Sequence, residues 1–138
     1  MSKYDYRPKG VIPALVTPFN KDESINEENL RNLVSNLIEQ GVTGLVPCGT
    51  TGEFVNMSAE ECLKVIEIVV DETNGKIPVI AGCGNSRTQT VIDMTNKAED
   101  IGADAAIIVT PYYLKPKAKG LFDHYNTIAE KTELPLVL

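Results

Sequence analysis

Gly44-Leu45-Val46-Pro47-Cys48-Gly49-Thr50-Thr51-Gly52-Glu53 decides how the rest of the chain is read. An apolar run ends in Cys-Gly, two hydroxyl residues follow, and a second glycine closes the segment. Ser58 and Glu61 then stand in capping-box spacing ahead of a periodic apolar stretch. The pattern is a strand, a tight polar turn and a helix. It places Thr50 and Thr51 at the carboxyl end of a parallel strand, where α/β proteins bind ligands. Two adjacent hydroxyls, with backbone N–H groups opened by glycines, form a cradle for a carboxylate or phosphate. A glycine turn with solvated threonines is the plainer alternative.

The same pattern repeats on either side. Upstream, residues 1–10 read as an irregular arm, and Val11-Ile12-Pro13-Ala14-Leu15-Val16 as a strand covered on both faces. Pro13 has no N–H to give to the ladder. Ser24 and Glu27 are spaced as another capping box, before a stripe of Leu30, Leu33, Val34, Leu37 and Ile38 that Gly41 closes. Downstream of the first turn, Cys62, Val65, Ile66, Val69 and Val70 make a second helical stripe. Ile77-Pro78-Val79-Ile80-Ala81-Gly82 is a third strand, ending in Cys83-Gly84-Asn85-Ser86, an echo of Cys48-Gly49-Thr50-Thr51. Val91, Met94, Thr95 and Ala98 stripe a third helix. Residues 105–109 form a fourth strand that runs into Thr110-Pro111-Tyr112-Tyr113. A fourth helix carries Leu121, Phe122, Tyr125, Ile128 and Ala129, and residues 134–138 open a fifth strand.

Short apolar strands alternating with amphipathic helices make a parallel sheet. The strands begin near Val11, Gly44, Pro78, Ala105 and Leu134, at intervals of about 33, 34, 27 and 29 residues. Eight units of roughly 30 residues make the usual length of a closed (β/α) barrel. At this point two architectures stand: an open doubly wound five-stranded sheet, or about the first four and a half units of a (β/α)8 TIM barrel.

Composition narrows the function classes. The 138 residues are 43% hydrophobic and 23% charged, enough for one globular core, and the formal net charge of −6 opposes a nucleic-acid partner. The cluster of Lys115, Lys117 and Lys119 reads as a solvated loop. Three cysteines, an odd count, and the polar start Met1-Ser2-Lys3-Tyr4-Asp5-Tyr6 point to a reducing, cytoplasmic setting without signal peptide or membrane anchor. No apolar run approaches a membrane span. No Cys/His or carboxylate cluster has metal-ligand spacing, and no cofactor is expected. A cysteine nucleophile at Cys48 or Cys83 lacks a partner, because the lone His124 falls on the fourth helix, where it reads as a surface or half-buried residue.

Five ordered motifs carry a resemblance: Pro13-Ala14-Leu15-Val16-Thr17-Pro18-Phe19, Gly49-Thr50-Thr51-Gly52-Glu53, Pro78-Val79-Ile80-Ala81-Gly82, Val109-Thr110-Pro111-Tyr112-Tyr113 and Leu134-Pro135. From Gly10 to Leu138 the chain resembles the pyruvate-dependent class I aldolases, the family of dihydrodipicolinate synthase and N-acetylneuraminate lyase. The double threonine and double tyrosine are most similar to the synthase branch. The resemblance implies a TIM barrel, with residues 1–138 as the N-terminal part of one barrel domain. It implies a lyase that condenses pyruvate with an aldehyde, aspartate semialdehyde in the synthase, through a lysine Schiff base. By position, Thr50 and Tyr113 match the proton relay and Thr51 the carboxylate-binding threonine. Gly49 and Tyr112 are further candidates for substrate binding. The family also implies a homo-oligomer, a tetramer in its intact members, in which the tyrosine at Tyr113 reaches into a neighbour's site.

The roles fit elementary chemistry. Linked hydroxyls can pass protons between carbinolamine, imine and enamine without placing a permanent charge beside the iminium. The family's lysine, however, lies on the sixth strand, beyond Leu138, as do a further tyrosine and an arginine of its site. Of the ten lysines here, only Lys115, Lys117 and Lys119 fall at the correct end of the sheet. The expectation is half an active site, inactive alone and prone to self-association through exposed strand edges. Leu114 stands where the synthases often have asparagine. Cys83-Gly84-Asn85-Ser86 departs from the usual Thr-Gly-Ser-Asn, so feedback by lysine is not expected. Within the family, an aldolase acting on N-acetylneuraminate or a 2-keto-3-deoxy sugar acid is the alternative, and two further rival readings remain beside it. A flavodoxin-like sheet would bind phosphate or flavin on the first turn, and a non-catalytic half-barrel would keep its threonines without using them.

Overall fold

Prolines shape this sheet. The computed structural model describes residues 6–138, and the expected N-terminal arm lies partly outside that span. Residues 6–9 are irregular. Pro13, Pro47, Pro78 and Pro135 all sit in strand segments, and each contributes only its carbonyl: Val46 N–H donates to Pro13, Gly82 to Pro47, Leu45 to Pro78 and Ala106 to Pro135. Without a proline N–H the ladder cannot run long in either direction. The five expected strands therefore appear as short pieces. The first two are reduced to single bridges, Ala14 with Val46 and Leu45 with Val79. The others are β1 (Ile80–Gly82), β2 (Ala105–Ile107) and β3 (Leu136–Val137).

All these pairings are parallel, and each segment pairs with the next in sequence: Ile80 aligns with Ala105, and Ala106 with Leu136. A doubly wound sheet needs a reversal of strand order at its switch point. No such reversal occurs among the described residues. The order is that of a barrel arc, and the open-sheet alternative is set aside.

Among the described residues four α-helices connect the strands: α1 (Glu27–Glu39), α2 (Ala59–Thr73), α3 (Thr88–Ile101) and α4 (Ala118–Lys131). The Ser58–Glu61 capping box forms in both directions, with Ser58 N–H on Glu61 Oε2 at 2.7 Å and Glu61 N–H on Ser58 Oγ at 3.2 Å. The Ser24–Glu27 box does not. Ser24 Oγ donates instead to Asp22 Oδ1 at 2.7 Å, and Asn26 caps α1 by accepting from Asn29 N–H. Leu30 and Val34 of α1, Ile66 and Val69 of α2, and Ala98 of α3 are buried against Leu15, Leu45, Ala81 and Ala106 of the strands. This helix-side burial, roughly 2 kcal/mol for each large aliphatic side chain, fixes the curvature of the arc.

The last helix departs from its expected stripe. Its buried residues are His124 and Ile128, whereas Phe122 is 68% exposed. α3 is the helix that α4 packs on, so the buried line is the one-turn ridge facing α3. Among the described residues no helix is long and apolar enough to cross a membrane.

Candidate active site

Alternate residues of the strands face the concave side of the arc. Ala14, Val46, Gly82, Ile107 and Leu138, one from each strand segment, line a cavity of about 480 Å³ there. Its walls are apolar. Gly49, Thr50 and Thr51 form its polar part.

The turn that carries them is tightly built. Cys48 (φ +57°) and Glu53 (φ +59°) both take left-handed backbone, uncommon for residues with a side chain, and bracket a short 3₁₀ helix, Thr50–Gly52. Gly52 N–H donates to Gly49 C=O and Glu53 N–H to Thr50 C=O. Thr17, which the sequence marked only as the end of the first strand, donates its hydroxyl to Gly52 C=O at 2.7 Å in a buried bond. Its signal was a hydroxyl at the same strand end as Thr50. Gly82 lets the turn close onto the sheet: a Cβ there would lie 2.1 Å from the Cys48 carbonyl oxygen. With the backbone committed in this way, the Thr50 and Thr51 side chains are exposed at the cavity. Among the described residues neither hydroxyl has a hydrogen-bond partner.

Tyr112 and Tyr113 sit elsewhere. Tyr112 packs its ring edge-on to Phe54, centroids 5.8 Å apart. Tyr113 is 98% exposed with φ +70°, and Leu114 N–H closes a three-residue turn onto Tyr112 C=O at 2.9 Å. A hydrogen bond spanning three residues about a positive φ is the rarer, strained hand of that turn. Gly49, Thr50 and Thr51 are therefore brought together, while Tyr113 points away from their cavity. It lines a separate cleft of about 410 Å³ with Thr88, Lys115 and His124.

The remaining candidates resolve as follows. Lys115, Lys117 and Lys119 are exposed, and Lys119 pairs with Asp123 at 2.6 Å. Among the described residues no lysine lines the threonine cavity. His124, expected at or near the surface, is only 5% exposed. Its Nδ1 lies 2.9 Å from Thr88 Oγ1, and burial holds its pKa below the ordinary value. Cys48, Cys62 and Cys83 are all buried free thiols. Cys48 Sγ donates to Cys62 C=O at 3.3 Å. Contact with Cys62 and burial hold the Cys48 thiol above its usual range, and burial pushes Cys83 up to about 12. Thiols that stay protonated are poor nucleophiles. Among the described residues no three His, Cys, Asp or Glu side chains are arranged to hold a metal ion.

Comparison with known proteins agrees with this geometry. The model of the dihydrodipicolinate synthetase family matches residues 7–138. The chain is 54% identical to 4-hydroxy-tetrahydrodipicolinate synthase of Methanopyrus kandleri over 134 residues, which is 96% of this chain and 45% of that protein. The chloride-inhibited dihydrodipicolinate synthase of Acinetobacter baumannii, solved with pyruvate, superposes with a TM-score of 0.90 at 48% identity, covering 92% of this chain and 44% of that one. The 4-hydroxy-tetrahydrodipicolinate synthase of Methylacidiphilum fumariolicum SolV gives a TM-score of 0.92 at 36% identity, covering 96% and 44%. The chain thus spans about 45% of the length of the curated relatives that it matches.

Proposed function

This chain belongs to the dihydrodipicolinate synthetase family, and we propose that it carries the pyruvate cradle and proton relay of a 4-hydroxy-tetrahydrodipicolinate synthase. The reaction is the condensation of pyruvate with aspartate semialdehyde through a lysine Schiff base. One observation carries the reading: two hydroxyls without partners, on a rigid turn, at the polar end of an apolar cavity. In this reading Thr51, through its hydroxyl and its own backbone N–H, holds the pyruvate carboxylate. Thr50 passes protons as carbinolamine becomes imine. A neutral cradle leaves the lysine free of a competing cation, and the apolar walls favour its uncharged, nucleophilic form.

No described lysine lines the cavity; in this reading the nucleophile is the family's sixth-strand lysine, and the 138-residue chain alone forms no Schiff base. Residues 1–138 then make up the first four and a half units of one barrel domain. The apolar groove of Leu121, Phe122, Tyr125, Leu136 and Leu138 is the seat of the next unit. Tyr113, exposed on its strained turn, completes the relay in the site of a second copy, and Tyr112 lies beside it at the subunit boundary. Three buried free thiols suit a cytoplasmic setting.

The test is a chimera that joins residues 1–138 to the remaining segment of the Methanopyrus kandleri relative. Incubation with pyruvate and borohydride, followed by intact mass, reads the imine. The chimera is expected to gain one pyruvate adduct per chain and the 138-residue chain none. An adduct on the short chain, or none on the folded chimera, would overturn the reading.

A further inference from the structure

The echo turn, residues 83–86, gives the cavity described above only the backbone of Gly84, yet it occupies the matching place one strand along. Its hydroxyl is not presented to the cavity. Ser86 Oγ donates to Tyr112 C=O at 3.0 Å and accepts from Tyr112 N–H at 3.3 Å. A single hydroxyl thus engages both backbone groups of the residue before Tyr113. The same Tyr112 carbonyl receives Leu114 N–H, which closes the left-handed turn. We propose that Ser86 is a positioning residue that holds Tyr113 in this turn.

The argument is one of elimination and linkage. A bulky aromatic at φ +70° persists only if its surroundings over-determine it. Tyr113 cannot supply that restraint itself, because its side chain is 98% exposed. The restraint must come through Tyr112. Phe54 fixes the ring of Tyr112 edge-on, and Ser86 fixes its backbone. The residues flanking Ser86 are tied down: Asn85 Oδ1 accepts Arg87 N–H at 3.0 Å, and Thr88 at the start of α3 bonds His124 of α4. The loop at 112–117 leads directly into α4. The brace therefore ties both ends of the turn to one rigid pair of helices.

Its catalytic consequence rests on the relay reading for Tyr113, whereas the hold on the backbone does not. The first measurement is NMR on the isotope-labelled 138-residue chain. A residue at positive φ gives a strong intraresidue N–H to Hα NOE. Ser86→Ala is expected to abolish that signature at Tyr113 and to speed exchange of the Tyr112 amide about tenfold. Ser86→Thr, which keeps the hydroxyl, should preserve both. Retention of the NOE and of the amide protection in Ser86→Ala would overturn the proposal. So would changes of equal size throughout α3 and α4, which would mark Ser86 as a general structural residue. In the chimera, Ser86→Ala should lower kcat with KM for pyruvate unchanged, and Ser86→Thr should restore it. If Tyr113→Phe left the chimera fully active, the relay reading would fail while the NMR result on Ser86 stood.

Discussion

Two turns with the same opening, Cys-Gly followed by two polar residues, lie side by side at the carboxyl ends of adjacent strands. The first folds into a 3₁₀ helix between two left-handed residues and leaves the Thr50 and Thr51 hydroxyls facing a cavity. The second commits its Ser86 hydroxyl to the backbone of Tyr112. The helices that follow differ as well. α2 starts with a reciprocal capping box at Ser58, whereas α3 starts at Arg87 without a side-chain cap and is tied down by Thr88 on His124. The lesson is that a hydroxyl at a strand end is available for chemistry only if the backbone around it is satisfied by other groups. At the first turn Thr17 and the turn's own N–H groups do that; at the second the hydroxyl itself does.

The comparison can be broken most severely where the two turns touch. Gly82→Ala would drive a methyl into the Cys48 carbonyl from a strand that cannot yield, and should cost about 3 kcal/mol in urea unfolding. Next in size is the asymmetry in chemistry. In the chimera, Thr50→Val should lower kcat about a hundredfold as the proton path is cut. Thr51→Val should act mainly on pyruvate affinity, by about tenfold for one lost hydrogen bond to a carboxylate. Equal and small effects from both would mean that the first turn is no more reactive than the second.

The helix starts give a smaller contrast. Ser58→Ala removes a capping box and should cost about 1 kcal/mol. Arg87→Ala, which removes no cap, should stay within about 0.5 kcal/mol in the same assay. The smallest effect is the pH dependence of the His124 tie. Burial lowers its folded pKa, so the unfolded chain binds more protons near and below the unfolded histidine value of about 6.5. Its contribution is therefore fully present above about 6.5 and declines as pH falls. His124→Gln should flatten that acid limb in a urea titration repeated across pH.

Periodicity and turn chemistry made the helices, the parallel sheet and the threonine turn legible. The Ser58 box formed because Ser58 itself stands at the N-cap, where its Oγ accepts from Glu61 N–H. The Ser24 box failed because the helix starts two residues later, with Asn26 at the N-cap, while Ser24 Oγ donates to Asp22 and accepts from Asn20. Spacing registers who is near but not which of several neighbours wins. Strand length was overread because four prolines each remove a donor, an effect that hydropathy does not register. His124 was misplaced because a polar residue within an apolar stripe reads as surface, and its burial depends on Thr88, a partner brought close only by the packing of α3 on α4. The threonine turn was visible as a motif. The left-handed backbone at Cys48, Glu53 and Tyr113 was not, because it is imposed by contacts between distant segments.

The sequential order of the strands has a consequence for the growing polypeptide. Each segment pairs with the one synthesised just before it, and each helix packs on its predecessor. Among the described residues every pairing joins neighbouring segments, so these loops stay near one β/α unit in length and their entropy cost stays low. The arc can assemble vectorially as it leaves the ribosome, and the threonine turn is set in place by Thr17 and Gly82 before the tyrosine pair has been translated.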